Sequence, residues 1–271
     1  MSRYLQPSAE LRERILTQGG YAPEENRRIY DKWFSHGPRL QFQAASLKYD
    51  LTGKVMCDIG CGYGMNLVYT QPGSYGIEVD SYAVQFARSI GLTMHSLDFM
   101  HDDISHLPKV DVVWCSALLE HVESIHIFLR RISFLLKPNG LLFIYVPTIP
   151  LIPALRHVTG LKRFTTGYLY SDHINAFTPS TLRFFCERAG YETAEVSPFM
   201  PGVLGAFNHV PLLNRLVDGC TYVGRRIPDW EYPEHATRRV ASSGVGFEYK
   251  ASFVDTGLLA SSRQETPVES D

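Results

Sequence analysis

The sequence predicts an α/β protein built on a doubly wound, largely parallel sheet. A short apolar run at residues 55–59 breaks into the glycine-rich turn Asp58-Ile-Gly-Cys-Gly-Tyr-Gly64. A second apolar run, 74–79, carries the acidic Glu78 near its end. Between residues 55 and 147, apolar runs alternate with segments of helical periodicity, which is the pattern of a parallel sheet that holds its ligand at the carboxyl ends of the strands.

Each element has a local cause. Gly60, Gly62 and Gly64 occupy alternate positions just beyond the first strand. A sharp turn there needs positive φ, and a ligand there needs close approach to bare backbone. The turn is expected to open a helix. A dinucleotide fingerprint would require a third glycine at the place of Met65, so the spacing argues against a pyrophosphate ligand. Residues 74–79 read as the second strand and 81–90 as the helix after it. Glu78 stands where doubly wound folds place a carboxylate that accepts both ribose hydroxyls. Asp80 competes for that role, but Asp80 and Ser81 also fall where a helix N-cap belongs.

Residues 92–97 read as a third strand ending in Asp98-Phe99, with Asp103-Ile104 an alternative placement for the next carboxylate. Residues 110–116 are a fourth strand. The helix over 125–136 carries Ile125, Phe128, Leu129, Ile132 and Leu135 on one face, and Pro138-Asn139-Gly140 is expected to end it. Residues 141–146 form a continuous apolar run of the kind a strand buried on both faces requires. A helix over 182–190 and a sixth strand at 191–196 follow.

Together the glycine turn, Tyr75-Gly-Ile-Glu-Val-Asp80, Asp111-Val-Val-Trp-Cys-Ser-Ala-Leu-Leu-Glu-His-Val122 and Asp172-His-Ile-Asn-Ala-Phe-Thr-Pro-Ser-Thr181 resemble the class I S-adenosylmethionine-dependent methyltransferases. The resemblance is to the small-molecule branch that includes quinone-biosynthesis methyltransferases. It implies a Rossmann-like sheet of seven strands, parallel except for an antiparallel seventh, with N-terminal helices and a lid insertion. Residues 246–254 are the best candidate for that seventh strand. The resemblance divides the chain into an N-terminal helical cap at 1–44, a methyltransferase domain at 45–256 and a disordered tail at 257–271.

The implied cofactor is S-adenosyl-L-methionine. Its contacts would come from Asp58, Gly60, Cys61, Gly62, Gly64, Asn66 and Leu67 on the turn. Glu78 and Val79 would follow on the second strand, Asp98 and Phe99 after the third, and Cys115 and Ser116 at the end of the fourth. Read from its own context, Cys115 is a buried strand residue.

Methyl transfer from a sulfonium needs alignment and, for a hydroxyl acceptor, a base. His121 lies just past the fourth strand and His173 in the Asp172-His173 block, so either is a candidate base. Tyr30 and Trp33 on an N-terminal helix, and Tyr168 and Tyr170 in the segment 148–170, are candidates for an acceptor pocket. Core or lid packing is the competing reading for these aromatics. The excursion 197–244 also lies outside the shared sheet.

Composition adds limits. The net charge of −2 gives no footprint for nucleic acid, and 45% hydrophobic residues suffice for a core. The chain has neither the Pro-Pro-aromatic motif of base-nitrogen methyltransferases nor a Pro-Cys nucleophile. Five cysteines without a signal peptide fit a reduced, cytoplasmic setting. No metal is expected, since no ligand cluster shows in the spacing. The longest uncharged stretch, 138–155, is broken by Pro147, Pro150 and Pro153 and cannot span a membrane as a helix. Two other functions fit the same sheet: an NAD(P)-dependent oxidoreductase, and a scaffold or partner subunit that binds the cofactor without turnover.

Overall fold

A computed structural model describes residues 8–17, 23–35, 37–148, 173–198 and 219–230. Three helices, α1 (Ala9–Thr17), α2 (Pro23–Ser35) and α3 (Gly37–Lys48), precede the sheet. Then follow β1 (Met56–Ile59), β2 (Tyr75–Glu78), α4 (Ser81–Ser89), β3 (Met94–Ser96), β4 (Val110–Ser116), α5 (Ile125–Leu135) and β5 (Leu136–Pro147). After residue 172 come α6 (Pro179–Arg188), β6 (Tyr191–Pro198) and β7 (Gly219–Arg226).

The seven strands lie in the order β3-β2-β1-β4-β5-β7-β6. β1 pairs in parallel with both β2 and β4, so the order reverses beside β1 and opens a crevice at its carboxyl end. β7 is antiparallel to β5 and to β6, which makes it the one reversed strand. The seven-stranded, Rossmann-like fold class is therefore as expected, but the seventh strand is not where sequence placed it. It is Gly219–Arg226, inside the expected excursion, while residues 246–254 lie outside the described residues.

β4 alternates across the sheet. Val113 and Cys115 enter one core with Phe128, Leu129 and Ile132 of α5; Val112 and Trp114 enter the other with Ile15, Ile29 and Phe42 of the N-terminal helices. Trp114 stacks on Phe143 at 5.3 Å and takes the edge of Phe42 at 5.1 Å. Each such pair adds about 0.5–1.5 kcal/mol beyond area burial. α3 is further tied to β7 by Gln41 Nε2, which donates to Thr221 Oγ1 at 3.0 Å. It runs across the boundary expected between residues 44 and 45.

Two local expectations change. α5 ends at Leu135 and the chain enters β5 at once. Pro138-Asn139-Gly140 instead bulges out of β5, where the register against β4 shifts and Asn139 takes φ 61°. The glycine turn opens only the single 3₁₀ turn Leu67–Tyr69. The amide of Asn66 donates to the Asp58 carboxylate rather than capping a helix, and Thr70 is already extended.

Candidate functional site

The crevice beside β1 starts from the glycine turn. Gly60, Gly62 and Gly64 all have positive φ, at 68°, 54° and 85°. They serve different purposes. A Cβ on Gly60 would meet Leu118 at 2.9 Å and one on Gly64 would meet Leu92 at 2.7 Å, so the protein's own packing excludes side chains there. A Cβ on Gly62 would meet nothing within 4 Å. Its bare backbone borders open space at the turn, a cradle that a side chain would fill.

Glu78 closes the turn from β2. One carboxylate oxygen accepts Gly62 N–H at 2.8 Å, and the other accepts Val79 N–H at 2.8 Å and Asp80 N–H at 3.0 Å. These charge-assisted bonds hold the carboxylate at the strand end. Asp80 is occupied as the N-cap of α4, accepting from Tyr82 and Ala83 N–H, which settles its local role. Asp58, buried in β1, has its pKa raised to about 7, chiefly by burial; the Asn66 bond opposes the rise and the Glu78 charge adds to it.

Beyond β3 the chain forms a tight loop. Asp98 accepts Met100 N–H at 2.8 Å on one oxygen and meets His101 Nδ1 at 2.9 Å on the other. That contact to His101 is the main cause holding the Asp98 pKa below the usual carboxylate range. Asp103 is spent on Ser105, accepting from its backbone and hydroxyl. Within the loop, the N–H groups of Asp98, Met100, His101 and Asp102 all find acceptors. Among the described residues Phe99 N–H has none, and Phe99 lines the crevice.

The third wall follows β4. Ala117 adopts φ 52°, a left-handed turn that costs an alanine about 1–2 kcal/mol. It swings the chain into the 3₁₀ turn Leu119–His121. The carbonyl of Glu120 accepts N–H from Ile174 and Asn175 at 3.0 Å each, and Asn175 Nδ2 donates to Val122 O at 2.6 Å. These bonds bring His173 against His121, ring centroids 4.7 Å apart and edge to face. Glu120, His121 and His173 each bring one ligand-type atom, all within 4.8 Å of one another. Glu120 and His121 are adjacent but His173 is remote in sequence, so the trio was not legible as spacing.

The crevice measures 280 Å³. Of the expected residues, Gly60, Glu78, Val79, Asp98, Phe99 and His121 line it. Leu67 and Cys115 are packed into the two cores, and Cys61 Sγ rests 3.7 Å from Met94 Sδ. Ser116 is half-buried at the end of β4. Tyr30 packs against the N-terminal core rather than the crevice, with Arg27 over its ring. The side chain of Trp33, and all of Tyr168 and Tyr170, lie outside the described residues. Leu118, Met100 and Phe128 line the crevice without having been read as site residues; as apolar side chains they carried no signal apart from core.

A family model described as a methyltransferase domain matches residues 28–196, more than half of the chain. The chain belongs to this methyltransferase family. A curated relative of the methyltransferase, the ubiquinone biosynthesis O-methyltransferase of Aromatoleum aromaticum, is 29% identical over 159 residues, covering 54% of this chain and 67% of that one. Among solved structures, an S-adenosylmethionine-dependent methyltransferase from Mesorhizobium loti aligns with a TM-score of 0.50 at 20% identity, over 68% of this chain and 98% of its own. One from Archaeoglobus fulgidus aligns with a TM-score of 0.51 at 16% identity, over 74% and 99%. Both show the same fold.

The methyltransferase uses S-adenosylmethionine, and its residues fit that group. Gly62 leaves room for close approach, Glu78 keeps an acceptor site beyond its three backbone N–H bonds for a ribose hydroxyl, and Phe99 N–H and Asp98 offer a donor and an acceptor in the crevice.

Proposed function

We propose that this methyltransferase transfers a methyl group to a hydroxyl oxygen of a small organic acceptor, with His173 or His121 taking the hydroxyl proton. The observation that carries the reading is the histidine pair at the crevice: His121 lines it, and His173 is clamped against His121 by backbone bonds to the post-β4 turn. The O-methyltransferase name of the relative supports oxygen as the target.

Bound S-adenosylmethionine supplies a methyl group already attached to its leaving sulfur. What remains for the chain is positioning and proton removal. The glycine turn would hold the methionine end of the cofactor, Glu78 the ribose, and Asp98 with Phe99 N–H the adenine, while an imidazole beside the crevice would accept the proton of the acceptor hydroxyl. Because the donor carries its own leaving group, no second acid is needed.

The test is methyl transfer from labelled S-adenosylmethionine to a panel of phenols, in wild type and in His173→Ala and His121→Ala. Loss of the base should cut turnover by about 10²–10⁴-fold while cofactor affinity stays within a few-fold. Wild-type single-turnover rates in both variants would remove the histidines from the chemistry.

A second reading rests on Glu120, His121 and His173 as a three-ligand set for a divalent cation that would hold the acceptor oxygen. Chelation separates the two. Activity that survives a strong chelator favours the bare base; activity lost and restored by added metal favours the cation.

A further inference from the structure

We propose that Arg131 is a positioning residue for adenine recognition, acting through the Phe99–Met100 peptide on the carboxylate of Asp98. The inference rests on the reading above that Asp98 and Phe99 face the adenine.

Arg131 sits on α5 between Phe128, Leu129 and Ile132, all buried, and is itself only 4% exposed. Among the described residues no carboxylate lies within ion-pair distance of it. Its guanidinium instead donates from Nε to Phe99 O at 2.6 Å and from the second terminal nitrogen to Asp102 O. It also lies over the Phe99 ring, 5.6 Å from the centroid. Its charge is met by carbonyls at contact and by Asp98, Asp103 and Asp102 only at longer range, a costly way to fill a helix face that apolar side chains fill on either side.

The geometry shows what the fork achieves. Phe99 O and Met100 N–H belong to one rigid peptide unit. Drawing that carbonyl toward Arg131 turns the opposite edge toward Asp98, where Met100 N–H meets the carboxylate at 2.8 Å. The second arm fixes Asp102, whose carboxylate accepts Asp98 N–H at 2.8 Å. Both ends of the loop are thus held from behind by one side chain. Asp98 then presents its carboxylate from a fixed place on the crevice wall.

The readout is discrimination between S-adenosylhomocysteine and S-inosylhomocysteine, which has a carbonyl in place of the adenine amino group. Calorimetry would give the ratio of the two dissociation constants. Wild type should favour the adenine form by about 10-fold, the order expected for losing one hydrogen bond to a charged group. Asp98→Ala should lower the ratio to the part that Phe99 N–H sets against the protonated N1 of the inosine form. Arg131→Met, which keeps the volume and removes the buried charge, should lower the ratio similarly while keeping or raising Tm. The double variant should lose no more than either single. A ratio in folded Arg131→Met equal to wild type would overturn the proposal. Should that variant fail to fold, Arg131→Lys, which keeps the charge but not the fork, is read the same way. An intermediate ratio is expected there, and the wild-type ratio would overturn the proposal. An unchanged ratio in Asp98→Ala would instead remove the adenine reading of Asp98, and the role of Arg131 with it.

Discussion

Asp58 is a carboxylate in a strand flanked on both sides by parallel neighbours, where every other residue of β1 is apolar and buried. Burial raises its pKa to about 7. An unfolded aspartate ionises near pH 4. Between about pH 4 and 7 the folded chain therefore holds a proton that the unfolded chain has released. The stability contributed by protonated Asp58 is complete below about pH 4 and is lost as pH rises to about 7. Asp58→Asn removes this dependence. In urea melts, the stability of wild type relative to Asp58→Asn should fall between pH 5 and pH 8; an equal difference at both pH values would place Asp58 in a solvated setting.

Asp58 and Glu78 stood out in sequence because an acid interrupting an apolar run has few structural uses; Glu78 lines the crevice and Asp58 is buried in β1. Arg131 was not legible, because Arg130-Arg131 in an amphipathic helix reads as its solvated face. Its burial appears only once the loop after β3 folds over α5.

The glycine turn is the element on which the site depends, and its three glycines should respond differently to substitution. Gly62→Val adds a side chain that meets no protein atom at its Cβ. It should block cofactor binding in a chain that still folds, losing about 1–2 kcal/mol to the left-handed backbone. Gly64→Val carries the same backbone cost and adds a Cβ 2.7 Å from Leu92, so it should lose about 1–3 kcal/mol more. Thermal melts paired with calorimetry would compare them. Normal binding by Gly62→Val would refute the placement of the turn, and equal stability losses would refute the division of labour.

Elements were legible where local pattern and tertiary context agree, as in β4 and α5. β7 was misplaced because Gly-Cys-Thr-Tyr-Val-Gly-Arg-Arg lacks an apolar run and is a strand only by pairing between β5 and β6. Gly224 in its middle makes room for the Tyr222 ring, whose hydroxyl would lie 2.5 Å from a Cβ there. α3 was missed because its buried face is largely polar: Gln41, Gln43 and Ser46 accompany Phe42.

At the scale of the molecule, the sheet brings three distant pieces of sequence to one crevice: the β1 turn, the loop after β3 and the turn after β4. The N-terminal helices pad one face of the sheet through Ile15, Ile29 and Phe42. Most of the segment 148–170, from which acceptor choice was expected, lies outside the described residues. Of the residues that motif spacing suggested for the cofactor, Gly60, Glu78, Val79, Asp98 and Phe99 line that crevice. His121 and His173 were each read as candidates, but their pairing was not, because it is made by backbone bonds between segments far apart in the chain.

The most direct test of the account is titration calorimetry of S-adenosylhomocysteine into wild type and Glu78→Ala, with a nicotinamide dinucleotide as control. Wild type should bind the homocysteine compound and not the dinucleotide. Glu78→Ala should weaken binding by about 1.5–3 kcal/mol, roughly 10- to 150-fold, the loss expected for hydrogen bonds to a charged group. Equal affinity in wild type and variant, or preference for the dinucleotide, would contradict it.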